Sequence, residues 1–327
     1  MVKHTKKILV QLAKVLFSAA IIFWLVQSDK LNFSALKNFL SPSAAGLGLF
    51  LILLNIFFAS ERWRVLIRSQ GVQTNTWSVF KLTLIGMFFN FAMPGGVGGD
   101  VIKAFYFTRE HPGQKVIAVT SVLMDRVLGM FAMVFLALLV MVYDLSHILR
   151  TPALWTLFCF ISGLFVAFSI ALSLIFSSKL YDQGTLKKWI HKVPYSEKFM
   201  KLYESMHIYG KEGKRFFSVI LLSLISQACA IIFLYQAGIL AGFSDVPART
   251  YFLVAPLGFM ATALPISPAG VGVGQAAFYF LFNLYTGEPS ELGPTSITAF
   301  QVGTFILSLG GAFFYLRRKE RVDANFT

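Results

Sequence analysis

Charge is scarce in this chain. Only 13% of its 327 residues are Asp, Glu, Lys or Arg, against 56% that are apolar and 16% that are aromatic, and the mean hydropathy is +0.69. Soluble domains carry about 25% charged residues, so a water-soluble globular protein is excluded and a polytopic membrane protein is expected. Acidic residues are the scarcer kind: 15 Asp and Glu against 29 Lys and Arg leave a formal charge of +14. The bases are gathered into a few segments, as in cytoplasmic loops, so nucleic acid is not an expected partner.

Cysteine and histidine are nearly absent. Cys159 and Cys229 each sit within an apolar run with no His or second Cys nearby, and read as packing residues, not as a disulfide or metal site. His4, His111, His147, His191 and His207 are scattered over loops and termini. No H-E-x-x-H, Gly-x-Ser-x-Gly or Walker sequence occurs. Neither an enzyme nor a cofactor is therefore expected. Lys3, Lys6 and Lys7 precede an apolar run as in a signal peptide, but Lys14 interrupts it and no small-residue cleavage site follows, which favours an uncleaved first span.

Six runs suit helices of ~20 residues crossing the hydrocarbon: 8–27, 43–60, 116–143, 152–176, 216–242 and 294–316. Two further apolar stretches, 82–107 and 251–286, are each split by Gly- and Pro-rich sequence. Their first halves, 82–93 and 251–263, predict helices of only ~18 to 20 Å, short of the ~30 Å needed. Each stretch either forms one discontinuous span or folds back as a re-entrant hairpin.

Charge decides between these. The segment 177–215 holds nine bases, Lys179, Lys187, Lys188, Lys192, Lys198, Lys201, Lys211, Lys214 and Arg215, and the tail reads Arg317-Arg318-Lys319-Glu320-Arg321. Both belong in the cytoplasm, and six spans with two hairpins keep both there. The expectation is an all-α polytopic protein of the cell (inner) membrane with both termini cytoplasmic. The first hairpin enters from the cytoplasm and the second from the opposite side. Trp189, Tyr195, Phe199, Tyr203 and Tyr209 lie among the basic residues of 177–215, which reads either as amphipathic helix on an anionic leaflet or as a plain soluble loop.

The two interrupted stretches resemble each other. Pro94-Gly-Gly-Val-Gly98 aligns with Pro268-Ala-Gly-Val-Gly272, and Ala104-Phe-Tyr-Phe107 with Ala277-Phe-Tyr-Phe280 after a one-residue gap. The expected organisation is a single membrane domain. It comprises a first span and outer loop (1–42), a repeat unit (43–143), a linking span with the basic loop (144–215), an inverted repeat unit (216–316) and a basic tail (317–327). Inverted units with broken helices meeting near mid-membrane are a physical signature of transporters. Gly95, Gly96, Gly98 and Gly99, with Pro268, Gly270, Gly272 and Gly274, would bring backbone N–H groups close to an anion; the plainer reading is tight helix packing.

A few charges fall inside or beside the apolar runs. Asp100 starts the return half of the first hairpin, either as an N-cap or as a charge that contacts substrate or exchanges a proton. Lys103, one turn on, either snorkels to the surface or joins it. Gln275 holds the matching place in the second hairpin. Asp125-Arg126 lies near mid-membrane if its helix starts at Lys115 and at the interface if the span starts at Val127; a buried or groove-facing role is favoured because an ionisable pair is costly against lipid. Glu61-Arg62-Trp63-Arg64 reads first as an interfacial anchor, although Arg62 also suits a phosphate.

At Pro94-Gly-Gly-Val-Gly-Gly-Asp100, Asp125-Arg126 and Pro265-Ile-Ser-Pro-Ala-Gly-Val-Gly272, the sequence resembles the flippase-like family that includes the transmembrane region of lysylphosphatidylglycerol synthases, over most of its length. The resemblance implies a translocase for a polar-headed lipid. Some relatives carry an aminoacyltransferase domain after the membrane region; this chain ends a few residues past its last span, so lipid aminoacylation is not expected of it. Other relatives are linked to polyprenyl-phosphate sugars, so the implied substrate is an anionic phospholipid or a polyprenyl-phosphate-linked lipid. Arg62, Lys103 and Arg126 would attract the phosphate, and the hairpin tips would line its path. The competing readings are a secondary transporter of a small soluble anion and a membrane enzyme acting on lipid.

Overall fold

The computed structural model describes residues 20, 22, 23, 26, 27, 41–92, 98–182 and 196–323, and every regular element among them is helical. In chain order these are α1 (Pro42–Ser69), α2 (Thr76–Ala92), α3 (Gly98–Glu110), α4 (Lys115–Tyr143), α5 (Leu145–Arg150), α6 (Pro152–Phe176), α7 (Ser178–Asp182), α8 (Ser196–Ile208), α9 (Gly213–Leu240), α10 (Ala248–Thr262), α11 (Val273–Thr286) and α12 (Leu292–Asp323). Among the described residues five helices, α1, α4, α6, α9 and most of α12, are long and apolar enough to cross a membrane. The chain is a multi-pass, all-helical membrane protein. The first expected span, 8–27, lies almost wholly outside the described residues.

Local chemistry sets several helix ends. Pro42 and Pro152 open α1 and α6, where a missing N–H costs nothing. Gly287 closes α11 in the left-handed conformation, φ 80°. Two boundaries correct the sequence reading. α1 runs past the expected end at 60 to Ser69, leaving 70–75 as the link to α2, and α3 runs past 107 to Glu110, leaving 111–114 as the link to α4. Arg62 and Trp63 in the extension of α1 and Glu110 at the end of α3 find partners within the protein, in Asp125, Ser121 and Ser78.

α1 and α9 form the centre and run antiparallel. Asn55 Nδ2 donates to the Ser226 carbonyl and hydroxyl at 2.8 and 2.9 Å, Gly48 lies against the Phe233 ring, and Arg215 donates to the Arg68 carbonyl. α2 and α3 fold back on each other. Ser78 Oγ donates to Glu110 at their base, and further in Gly86 and Gly99 meet backbone to backbone. α10 and α11 do the same, with Gly258 under the Phe278 ring and Thr262 against Gly270 and Gly274.

The packing is reciprocal: α2 lies along α12, and α10 lies along α4. The base of the α2/α3 hairpin sits where α4 begins. The base of the α10/α11 hairpin sits where α4 ends, with the Tyr285 hydroxyl donating to Asp144, Arg249 at 4.0 Å from the same carboxylate, and His147 Nε2 donating to the Tyr285 carbonyl at 3.0 Å. In the basic segment, α8 is amphipathic and docks on α4 and α6, burying Tyr203, Ser205 and His207. It is neither a plain loop nor free of the bundle; Trp189 and Tyr195 lie outside the described residues.

The Gly86–Gly99 contact gives a direct prediction. A Cβ at residue 99 would fall on the Gly86 carbonyl oxygen and the Asn90 amide, and backbone cannot yield as a side chain can. Gly99→Ala is expected to destabilise the purified protein by about 1–3 kcal/mol in thermal unfolding. Gly163→Ala, whose Cβ would meet open space, is the control and should leave the transition in place.

Candidate functional site

Asp125 lies ten residues into α4, ~15 Å along it by helical rise, and two further helices send a base to its carboxylate. Arg62 Nε of α1 donates to Oδ1 at 2.7 Å and Lys103 Nζ of α3 approaches Oδ2 at 3.4 Å. Arg62 also donates to Ser223 Oγ of α9 at 3.3 Å. Gly129, one turn on from Asp125, leaves room for the guanidinium: an added Cβ would lie 3.0 Å from Nη1. The Lys103 ammonium sits 3.9 Å from the centroid of the Trp63 ring, a cation–π contact strengthened by desolvation.

This settles two alternatives. Trp63 is fully buried, its indole N–H donating to Ser121 Oγ at 3.1 Å, so Arg62-Trp63 is not an interfacial anchor: an anchoring ring must reach the headgroups. Lys103 does not snorkel, because its ammonium has a carboxylate and an aromatic face within the protein. Two cations around one carboxylate leave the cluster with one net positive charge.

Asp100 and Arg126 form a second ion pair, with Arg126 Nε donating to Asp100 Oδ2. Asp100 occupies the first turn of α3, where the helix dipole favours an anion, and its carboxylate is directed to α4. Side-chain exposure separates the three bases: 12% for Arg62, 8% for Lys103 and 33% for Arg126. Arg126 is the most exposed of the three.

Arg126 lines two spaces. The first is a cavity of about 240 Å³ between the hairpin ends, lined by Met87, Asn90 and Phe91 of α2, Arg126 of α4, Phe259 and Thr262 of α10, Ala263 and Ala269 after it, and Ile297, Phe300, Gln301 and Thr304 of α12. Thr304 Oγ1 is buried there without a hydrogen-bond partner among the described residues. The second is a groove of about 820 Å³ between α3 and α4, apolar along Val101, Ala104, Phe105, Val119, Val122 and Leu123. The Asp100–Arg126 pair lies at one end of it and Arg109 and Lys115 at the other.

Each hairpin turn is held by a side-chain amide. In the first, Asn90 Oδ1 accepts from the Gly99 N–H at 2.9 Å. In the second, the backbone takes positive φ at Ala269 (47°), Gly270 (72°) and Gly272 (84°), and two of these three are glycine, the residue that adopts this region without strain. Gln275 Oε1 accepts from the Gly272 N–H at 2.7 Å, and its Nε2 donates to Gln301 Oε1 at 2.7 Å and Thr298 Oγ1 at 3.1 Å. Gln301 Nε2 reaches the Ala269 carbonyl at 3.4 Å. The Gln275 amide is thus occupied by the turn, and Gln301 is the amide that faces the cavity.

Gln301→Leu should leave the Gln275 donor and the Ala269 carbonyl short of partners, a loss of about 1–3 kcal/mol. Hydrogen exchange is expected to quicken over 269–276 and stay unchanged in the paired centre of α1 and α9. Uniform protection in both would show that Gln301 does not hold the turn.

Of the residues expected at the site, Arg62, Gly98, Gly99, Asp100, Lys103, Asp125 and Arg126 gather around α3 and α4, and Pro268, Gly270, Gly272, Gly274 and Gln275 build the second turn. Gly95 and Gly96 lie outside the described residues. Sequence reading missed Asn90, Thr262, Gln301 and Thr304; a polar side chain in an otherwise apolar run is itself a signal, because lipid gives it no partner. Among the described residues no group of three His, Cys, Asp or Glu side chains is arranged to hold a metal ion.

Comparison with known proteins bears on the whole chain. The profile of the lysylphosphatidylglycerol synthase transmembrane (TM) region matches residues 11–311. A UPF0104 membrane protein of Methanocaldococcus jannaschii is 23% identical over 341 aligned positions that cover 98% of this chain and 98% of the relative. No solved structure matches the chain.

Proposed function

The chain belongs to the family of the lysylphosphatidylglycerol synthase TM region, and from that premise we propose that it is a lipid flippase, moving a polar-headed, phosphate-containing lipid between leaflets. The observation that carries this reading is that Arg126 lines both the small cavity, beside Asn90, Thr262, Gln301 and Thr304, and the apolar groove. One molecule with an anionic head and a hydrocarbon chain fits both spaces at once. A cavity of about 240 Å³ is below the ~300 Å³ at which sites for drug-sized ligands begin, so it takes a headgroup and the chain must lie elsewhere.

In this reading the α2/α3 and α10/α11 hairpins are re-entrant, enter the membrane from opposite faces and belong to inverted repeats. The antiparallel α1 and α9 and the reciprocal packing of α2 on α12 and α10 on α4 support it. Alternating access follows if one hairpin rocks against the other around the cavity. Both termini are cytoplasmic, the membrane is the inner membrane, and the polypeptide acts as a transporter, not as an enzyme. The headgroup class is that of anionic phospholipids or polyprenyl phosphates.

The topology is tested by single cysteines at Ser146 and Ser290 in a chain with Cys159 and Cys229 replaced. Both should react with an impermeant thiol reagent added outside; reaction of either only from inside breaks the two-hairpin arrangement. The function is tested with purified protein in liposomes, following fluorescent phosphatidylglycerol and polyprenyl-phosphate probes by dithionite quenching. Movement of a lipid probe supports the flippase. Failure of every lipid probe, with uptake of a soluble anion, would replace it by the soluble-anion transporter, and conversion of a probe to a new product by a membrane enzyme.

A further inference from the structure

We propose that the groove between α3 and α4 is a separate docking site for an anionic lipid, holding one hydrocarbon chain along its apolar floor with the phosphate between Arg109 and Lys115. The inference rests on the flippase reading and adds a station ahead of the central cavity. Three observations carry it. The groove, at about 820 Å³, is more than three times the size of the cavity, and its floor is apolar. Val101, Phe105, Val119 and Leu123 on that floor stay exposed while lying on two helices that otherwise pack closely.

The charges are distributed along the groove unequally. Asp100 and Arg126 neutralise each other at the inner end. Arg109 and Lys115, at the other end, are exposed and have no carboxylate partner among the described residues. The two ends are ~14 Å apart by helical rise from residue 100 to 109, the length of a chain and not of a headgroup. A groove with a fixed positive mouth, an apolar floor and a neutralised inner end matches an anionic amphiphile lying parallel to its neighbours in the leaflet. Arg and Lys near the interface each favour anionic over zwitterionic lipid, so the two together give a several-fold preference.

Arg126 then divides docking from passage. While it is paired with Asp100, the phosphate stays at the mouth; once the headgroup moves inward, Arg126 is the next cation it meets, and the same side chain opens onto the cavity.

The test uses the full chain in liposomes containing trace phosphatidylglycerol or phosphatidylcholine with a diazirine in one chain. Irradiation should attach phosphatidylglycerol to peptides 98–110 and 115–126 several-fold more than phosphatidylcholine. Arg109→Gln with Lys115→Gln, two exposed positions, should bring it down to the phosphatidylcholine level. Leu123→Trp should reduce labelling of both lipids by filling the floor. The exposed face of α6 should label equally with either lipid in every variant. Equal labelling of the groove by both lipids, or a preference untouched by the double variant, would reduce the groove to ordinary annular contact. Loss of labelling in excess inorganic phosphate would assign the basic mouth to a soluble anion and overturn a lipid site.

Leaflet movement, measured in the same liposomes, keeps the two proposals apart. Groove labelling without movement of any lipid removes the flippase and retains the lipid site. Movement without groove labelling does the reverse.

Discussion

Arg126→Gln is expected to abolish leaflet movement. The side chain is the most exposed of the three bases near the hairpin ends and the one that lines both the cavity and the groove. Losing a charge-assisted contact to a desolvated phosphate costs about 2–5 kcal/mol, which is a factor of at least ~30. The substitution also strands the Asp100 carboxylate, so a loss of activity could arise from the hairpin alone. The double variant Asp100→Asn with Arg126→Gln removes both charges and separates the two causes. Stability should return to that of the parent chain and transport should not. Near-normal transport in the double variant would make the pair a structural link and end the role given to Arg126. Arg126→Lys keeps the charge without the planar fork that matches a phosphate, and an intermediate rate is expected.

The second large effect is on stability. Asp125→Ala should lower it by about 3–5 kcal/mol, the range for removing one partner from a buried ion pair, because Arg62 and Lys103 would then face each other with no anion between them. Lys103→Met should cost much less, since Asp125 keeps its 2.7 Å contact with Arg62 and a flexible apolar side chain replaces the ammonium over Trp63. Thermal unfolding of the purified variants gives the order. If Asp125→Ala proved no worse than Lys103→Met, water would have to reach the cluster and the buried-network account would fall. The comparison also probes the hairpin, because Lys103 is the residue that ties α3 to the α1–α4 pair.

Much of the site was legible before folding because membrane chemistry is strict about polar atoms. A Pro-Gly-Gly-Val-Gly-Gly-Asp sequence inside an apolar run announces a helix break, and Asp125-Arg126 inside another announces a buried role; the structure has the chain fold back between α2 and α3 and buries Asp125. Asp100 was foreseen as a cap or a contact residue, and it is an ion-pair partner in the first turn. Arg62 and Lys103 were read either as surface groups, because each lies near the end of an apolar run, or as contacts for a phosphate. Asp125, their common partner, is 63 residues from the first and 22 from the second, and nothing local to either residue points to it. Gln275 was assigned to the transport path from its position, whereas three hydrogen bonds commit its amide to the turn.

By itself the sequence determined that this protein lives in a membrane, where its long helices run and where two of its apolar stretches must break. Those properties follow from summed transfer free energies and from the need of every backbone group for a partner, both of which are local sums along the chain. Only the tertiary structure decided which charges neutralise each other, that Arg126 borders both a small cavity and an apolar groove, and that Asn90, Gln301 and Thr304 line that cavity. Pairing and enclosure depend on distances between helices far apart in sequence, and the energy of an ion depends on what surrounds it, so no local sum contains them.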